Sequence, residues 1–155
     1  MEEGAILLVG VGGIGCSWSS KAHEASHELA DLLLVDSEES SFSTAMEAHC
    51  LHLDANGNGR GSAALPNLAA HRLREGASGI SPLLEKSELV IILTALGGGT
   101  GSGASAEIAS RAKKTGSLVI SIVGIPFVEQ PLRSAIAEIS LPTLEKNSDL
   151  CIRVS

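Results

Sequence analysis

Four short runs of consecutive apolar residues, "AILLVG" (5–10), "DLLLVD" (31–36), "ELVIILTA" (88–95) and "SLVISIVG" (117–124), divide the chain into segments of more polar sequence. Runs of this length, rich in Leu, Ile and Val and lacking strict alternation, predict strands covered on both faces, as in a parallel sheet. Between them, "WSSKAHEASHEL" (18–29), "LPNLAAHRLRE" (65–75) and "ASAEIASRAKKT" (104–115) carry helical character, with Gly116 placed to cap the last. Gly76, Gly79 and Pro82 break any longer helix and leave a short helical turn at about 82–87. After Pro131, "LRSAIAEISLPTLEKNSD" predicts a helix that Pro142 kinks or interrupts, and "LCIRVS" predicts a last strand. The segment "DANGNGRGSAA" (54–64) has no apolar periodicity and reads as a loop. Strand and helix alternate throughout, so the expected fold is α/β. It is a three-layer, doubly wound, mainly parallel Rossmann-like sheet forming one domain over 1–155, with ligands beyond the carboxyl ends of its strands.

Composition narrows the function. A chain of 155 residues that is 44% hydrophobic can bury roughly two-thirds of its unfolded surface in one core. With 11 Lys+Arg against 18 Asp+Glu, a net charge of −7, no Tyr and 2% aromatic residues, it has neither the basic face nor the stacking platforms that nucleic acid requires. Cys16, Cys50 and Cys151 are an odd set without metal-ligand spacing, which predicts reduced thiols and a cytoplasmic location. The start "MEEGA" is acidic where a signal peptide is basic, and no apolar run reaches the roughly 18 to 20 residues of a membrane span, so a soluble protein is expected. His23 and His27 sit four apart but among glutamates, as on a solvated face; "HCLH" (49–52) has no second cluster to complete a metal site. No metal set and no catalytic acid–base set is predicted.

The chemistry lies in two glycine loops. Gly10-x-Gly12-x-x-Gly15 follows a strand and opens a helix, and Asp36 ends the next strand 21 residues later; alone, this pattern suits a dinucleotide such as NAD. Glycines there permit a tight turn and let amides approach phosphate, while the helix N-terminus favours negative charge. Cys16, beside this loop, is expected to be buried against a strand rather than reactive. Trp18 is expected to pack on the sheet and Phe127 in the core. The second loop, Gly97, Gly98, Gly99, Thr100, Gly101, Ser102 and Gly103, also follows a strand, and an ordinary dinucleotide fold has no use for it. Consecutive glycines can turn amides inward as an anion nest, with Thr100 and Ser102 as hydroxyl donors and a helix from about Ala104 adding its dipole. Two cradles imply a polyphosphate gripped from both sides. The Gly-Lys-Ser/Thr of a Walker loop is absent, which leaves charge neutralisation to amides and to Mg²⁺.

"GGGTGSG" after an apolar strand resembles the signature of the tubulin and FtsZ superfamily, and the likeness continues along the chain. "VGVGGIGCS" resembles that family's first phosphate loop, "LLLVDSEESSF" its second loop, "GRGSAALPNLAAHR" its gamma-phosphate-sensing third loop with the helix after it, and "VGIPFVEQPLR" its fifth loop. The resemblance implies GTP or GDP as ligand. It assigns Gly10, Gly12, Gly13, Ile14, Cys16, Ser17 and Asp36 to the first two loops, Gly97 to Ser102 to the phosphate loop, and Gly61, Ser62 and Ala63 to the gamma-phosphate sensor. It also assigns Pro126, Glu129 and Arg133 to the fifth loop, the last two as ribose and base contacts. Arg60 stands in the third loop, either on a gamma-phosphate or in solvent.

The departures are specific. Ser17 stands where the family usually has a guanine-reading Asn, Asp36-Ser37-Glu38 replaces a typical Asn-Thr-Asp, and the fifth loop is one residue short. The family's central helix, which stacks on guanine, and its second domain, whose acidic loop completes hydrolysis at a filament interface, would follow Ser155. Lacking one stacking contact would cost about 1 to 3 kcal/mol of base affinity, and little or no hydrolysis by the monomer is expected. The implied role is an assembly, cytoskeletal or cell-division element, acting as a cap, regulator or excised domain. Self-association, as a homodimer or filament-type contact, or an FtsZ-like partner is expected through exposed apolar surface. A dinucleotide enzyme of NAD type and a nucleotide-free interaction module are the alternatives.

Overall fold

The computed structural model describes residues 5–26, 29–36, 42, 48–53, 66–97, 99–126 and 131–154. The elements run β1 (Ile6–Val11), α1 (Gly12–Ser26), β2 (Asp31–Asp36), β3 (His49–His52), α2 (Pro66–Gly76), a 3-10 turn (Ala77–Gly79), α3 (Ser81–Lys86), β4 (Leu89–Ala95), α4 (Gly99–Lys114), β5 (Leu118–Gly124), α5 (Pro131–Lys146) and β6 (Leu150–Val154). The strands form one six-stranded sheet in the order β3-β2-β1-β4-β5-β6, and every pairing is parallel.

The apolar runs are continuous because both faces of the central strands are covered. On β1, Leu7, Val9 and Val11 enter the larger core with Leu33, Val35, Val90, Ile92 and the inner sides of α2 to α5, including Leu73, Ile108 and Leu144. Leu8 points the other way, joining Leu32, Leu34 and Leu93 under Cys16 and Trp18 of α1. That alternation is the two-residue period of a strand applied to an all-apolar sequence. Trp18 packs on the sheet as expected, its ring so close to Gly124 that a Cβ there would lie 2.9 Å from Cη2. Phe127 lies outside the described residues.

Gly116 closes α4 as its sequence predicts. Its φ is +90°, its N–H donates to Lys113 O at 3.0 Å, and Ser117 N–H donates to Ala112 O at 3.1 Å, the paired bonds of a Schellman cap. Asp149 joins β6 to β5: one carboxylate oxygen accepts from Lys113 Nζ at 2.7 Å and the other from Val119 N–H at 2.8 Å. The Lys113 contact, then the backbone bond, holds its carboxyl below the usual range.

Three local features differ from expectation. "HCLH" is strand β3, parallel to β2 with Leu33 opposite His49 and Asp36 opposite His52, and the described residues contain no cluster of three metal-capable side chains. Its short, polar sequence is tolerated because β3 is the edge strand, with His49 and Cys50 exposed. Second, α5 runs unbroken through Pro142. The missing N–H frees only the Glu138 carbonyl, and both residues lie on the exposed side of the helix, where water replaces the lost bond. Third, α1 and α4 begin at Gly12 and Gly99, five or six residues before their expected starts, which places both glycine loops in helical first turns. Among the described residues no helix is long and apolar enough to cross a membrane.

Candidate functional site

The chain lays β1, β2 and β3 outward in one direction and then returns to set β4 on the other side of β1. Connections leaving β1 and β4 therefore diverge, and the crevice between them is the place where a doubly wound sheet receives a ligand. Both glycine loops open there. Gly12, the first residue of α1, has φ +78°, a left-handed conformation that glycine adopts without strain. A Cβ at that position would lie 3.6 Å from Gly101 N and 3.8 Å from Gly101 Cα. Residues 89 apart in sequence thus meet across the switch point.

Two kinds of contact hold the loops there. The Thr94 hydroxyl, fully buried at the end of β4, donates to the Val11 carbonyl at 3.0 Å and ties the roots of the two loops together. Glycines then let each helix approach its strand. A Cβ on Gly15 would overlap the Leu93 carbonyl oxygen, and one on Gly101 would lie 2.5 Å from Ala95 O and 2.7 Å from Thr94 Oγ1. Gly10 is a packing residue of β1: a side chain there would overlap Ser19 Oγ and come within 2.6 Å of Gly15 O. Thr94 is not part of either glycine motif; its signal in the sequence is a hydroxyl inside an otherwise apolar strand run.

Electrostatically, the crevice joins the N-termini of α1 and α4. Each helix leaves up to four amides unpaired at that end and carries the positive end of its dipole there. Neither first turn contains an acidic residue, so no carboxylate of these helices competes for the amides. The nest is narrower than the glycine string suggests. Gly97 N–H donates to Ser102 Oγ at 2.9 Å, and Gly97 has φ +106°. This amide and the buried Ser102 hydroxyl brace the loop, and the Ser105 hydroxyl adds a bond to the Gly101 carbonyl. Anion-binding capacity therefore rests on the amides of the first turns.

Of the other expected site residues, Gly13, Ile14 and Ser17 form the exposed side of α1's first turns, with Ile14 49% exposed. Thr100 lies in the first turn of α4, and Asp36 is buried at the carboxyl end of β2. Pro126 follows β5, and Arg133 in the first turn of α5 abuts the second loop, its Cβ 2.9 Å from where a Gly97 side chain would begin. Gly61, Ser62, Ala63, Gly98 and Glu129, together with Arg60, His27, Ser37 and Glu38, lie outside the described residues.

The Cys16 side chain is sequestered. Its thiol is buried between the Gly10 and Val35 carbonyls, 3.5 and 3.6 Å from Sγ. Burial, then the nearby Asp36 charge, pushes its pKa up to about 12. The fold binds this proton more tightly than the unfolded chain does. Its contribution to stability is therefore complete below the ordinary thiol value of 9.0 and is lost as pH rises towards about 12. In a thiol-reagent titration at pH 8, exposed Cys50 reacts first, and Cys16 reacts at least roughly a thousandfold more slowly until denaturant is added. Equal native rates would contradict this packing.

The sequence profile of the tubulin/FtsZ family, GTPase domain, matches residues 5–155. Cell division protein FtsZ 1 of Archaeoglobus fulgidus is 33% identical over 149 residues, covering 95% of this chain and 40% of the relative. FtsZ of Mycoplasmopsis pulmonis is 32% identical over 151 residues, covering 97% and 39%. Among solved structures, an empty FtsZ dimer from M. jannaschii superposes with a TM-score of 0.89 at 25% identity, over 99% of this chain and 45% of that one. CetZ2 of Haloferax volcanii, in a GTPgS-bound protofilament, shares the fold with a TM-score of 0.83 at 20% identity, over 97% and 48%. The chain thus spans about two-fifths of the length of the curated relatives it matches.

Proposed function

The chain belongs to the tubulin/FtsZ family through its GTPase domain, and on that premise we propose that it binds GTP or GDP in the crevice between β1 and β4. The observation carrying this reading is the meeting of Gly12 with Gly101, which brings two amide-rich helix starts to one point. One cradle suffices for a pyrophosphate. Two facing cradles suit a polyphosphate, and neither loop contains a lysine, so Mg²⁺ is assigned the residual phosphate charge. Ser102 and Thr94 support the binding surface, and Arg133 approaches it from α5.

The proposed role is a cytoplasmic cell-division or cytoskeletal element that associates with copies of itself or with an FtsZ-like partner. The 25%-identical FtsZ of M. jannaschii, described as a dimer, supports self-association. The isolated chain is proposed to bind nucleotide with little turnover. An NAD enzyme is not favoured, because the family match spans both loops and that chemistry has no use for the second.

The test is to denature the purified protein and identify what elutes. GDP or GTP is the expected result. Elution of NAD would replace this reading with the dinucleotide one. An empty eluate, with no calorimetric binding of added GDP or GTP in Mg²⁺, would leave an interaction module.

A further inference from the structure

Against the second loop, with Ser102 and Gly103 in its lining, α2, α4 and α5 enclose an open cavity of about 530 Å³, within the size range of small-molecule sites. Its floor is α4, where Gly103, Ala106 and Ser110 are spaced by three and four residues and present small side chains. One wall is α2 with Arg74; the other is α5 with Ile136, Ile139 and Ser140.

Three features of the lining point to a ligand. Ser140 is only 7% exposed, lines the cavity, and has no hydrogen-bond partner among the described residues. Among the helical serines, Ser19, Ser26 and Ser105 bond back to a carbonyl three or four residues earlier. The Ser140 hydroxyl, open to the cavity, therefore keeps its bonding capacity for whatever enters. Second, Arg74 and Arg111 share a single carboxylate, Glu107, at 3.3 Å each. Arg74 and Glu107 both line the cavity; with Arg111 the trio carries one net positive charge, in a chain whose overall charge is −7. Third, Ile139 is 77% exposed and stands with Ile136 on the opposite wall, an apolar surface without a covering element among the described residues.

We propose that this cavity, which adjoins the crevice through Ser102, is a second ligand site for a small amphipathic organic monoanion. The apolar body lies on Ile136 and Ile139, the anionic group faces Arg74, and a polar atom of the ligand bonds the Ser140 hydroxyl. A polyphosphate is disfavoured, because a single excess cation cannot balance it and the apolar wall has nothing to offer it.

Anilinonaphthalene sulfonate, an aromatic body with one sulfonate, is the probe, titrated by fluorescence and calorimetry into the whole chain. One saturable site is expected. Ala106→Trp, which fills the cavity from its floor, should abolish binding, and Arg74→Glu on the exposed rim should weaken it by tenfold or more, roughly the factor of one charge-assisted contact. Ser140→Ala should weaken it less. Ile152→Ser, on the separate apolar face of β6 where Ile152 is 43% exposed, should leave it unchanged. Circular dichroism identifies variants that fold; if Ala106→Trp does not, Arg74→Glu decides. Wild-type affinity in a folded Ala106→Trp or Arg74→Glu protein, loss of binding in Ile152→Ser, or no saturable binding to the wild type would each overturn the proposal.

Discussion

Gly15→Ala is expected to destabilise the domain by about 3 kcal/mol and to lower its melting temperature by roughly 6 to 12 °C. The new methyl group would overlap the Leu93 carbonyl oxygen and sit 3.1 Å from the carbonyl carbon and 3.2 Å from Thr94 Cα. These are backbone atoms in the middle of the sheet. Leu93 is held in register on both sides, opposite Gly10 of β1 and Ile122 of β5, so β4 cannot retreat without breaking two ladders. Either α1 lifts, exposing Leu8, Leu32 and Leu34 beneath it, or the sheet distorts. Gly79→Ala is the matched control, since a Cβ there meets nothing within 4 Å. A calorimetric or circular-dichroism melt of Gly15→Ala within about 2 °C of wild type would show that α1 is seated less rigidly than this contact requires.

That contact also shows where sequence stops being informative. The runs that became β1, β2, β4 and β5 were legible to within about a residue, because burial on both faces imposes an unbroken apolar pattern that few other structures need. The four residues of β3 were not legible. An edge strand half open to water needs no such pattern, and His49, Cys50 and His52 look like ligands when their neighbours are unknown. Helix starts were misplaced for the opposite reason. Glycine weighs against helix in any propensity argument, yet Gly15 and Gly101 lie inside helical turns because a larger residue would strike the neighbouring strand.

The site divides along the same line. Each glycine loop was visible as a local motif, and the family resemblance carried both. Their meeting depends on β4 returning beside β1, a tertiary fact absent from either motif. The Thr94 to Val11 bond spans 83 residues, and the approach of Arg133 to Gly97 needs the placement of α5. The cavity behind the loop arises from the packing of three helices, none of whose sequences signals a ligand by itself.

Gly12→Val should separate binding from folding. Forcing a branched residue to φ +78° costs about 1 to 2 kcal/mol of stability, which a domain of this size can survive. Nothing in the sheet is struck, since the nearest atoms to the new Cβ are Gly101 N and Cα at 3.6 and 3.8 Å. The added methyls instead occupy the space between the two cradles and screen the Gly101 amide. Guanine-nucleotide affinity is therefore expected to fall by roughly a hundredfold, the equivalent of about 2.7 kcal/mol, while the melting temperature falls by only a few degrees. Calorimetric titration of GDP in Mg²⁺ alongside a thermal melt gives both quantities from one preparation. A folded Gly12→Val protein that binds GDP as tightly as wild type would place the nucleotide elsewhere, and the convergence of the two loops would then serve only to join α1 and α4 at the switch point.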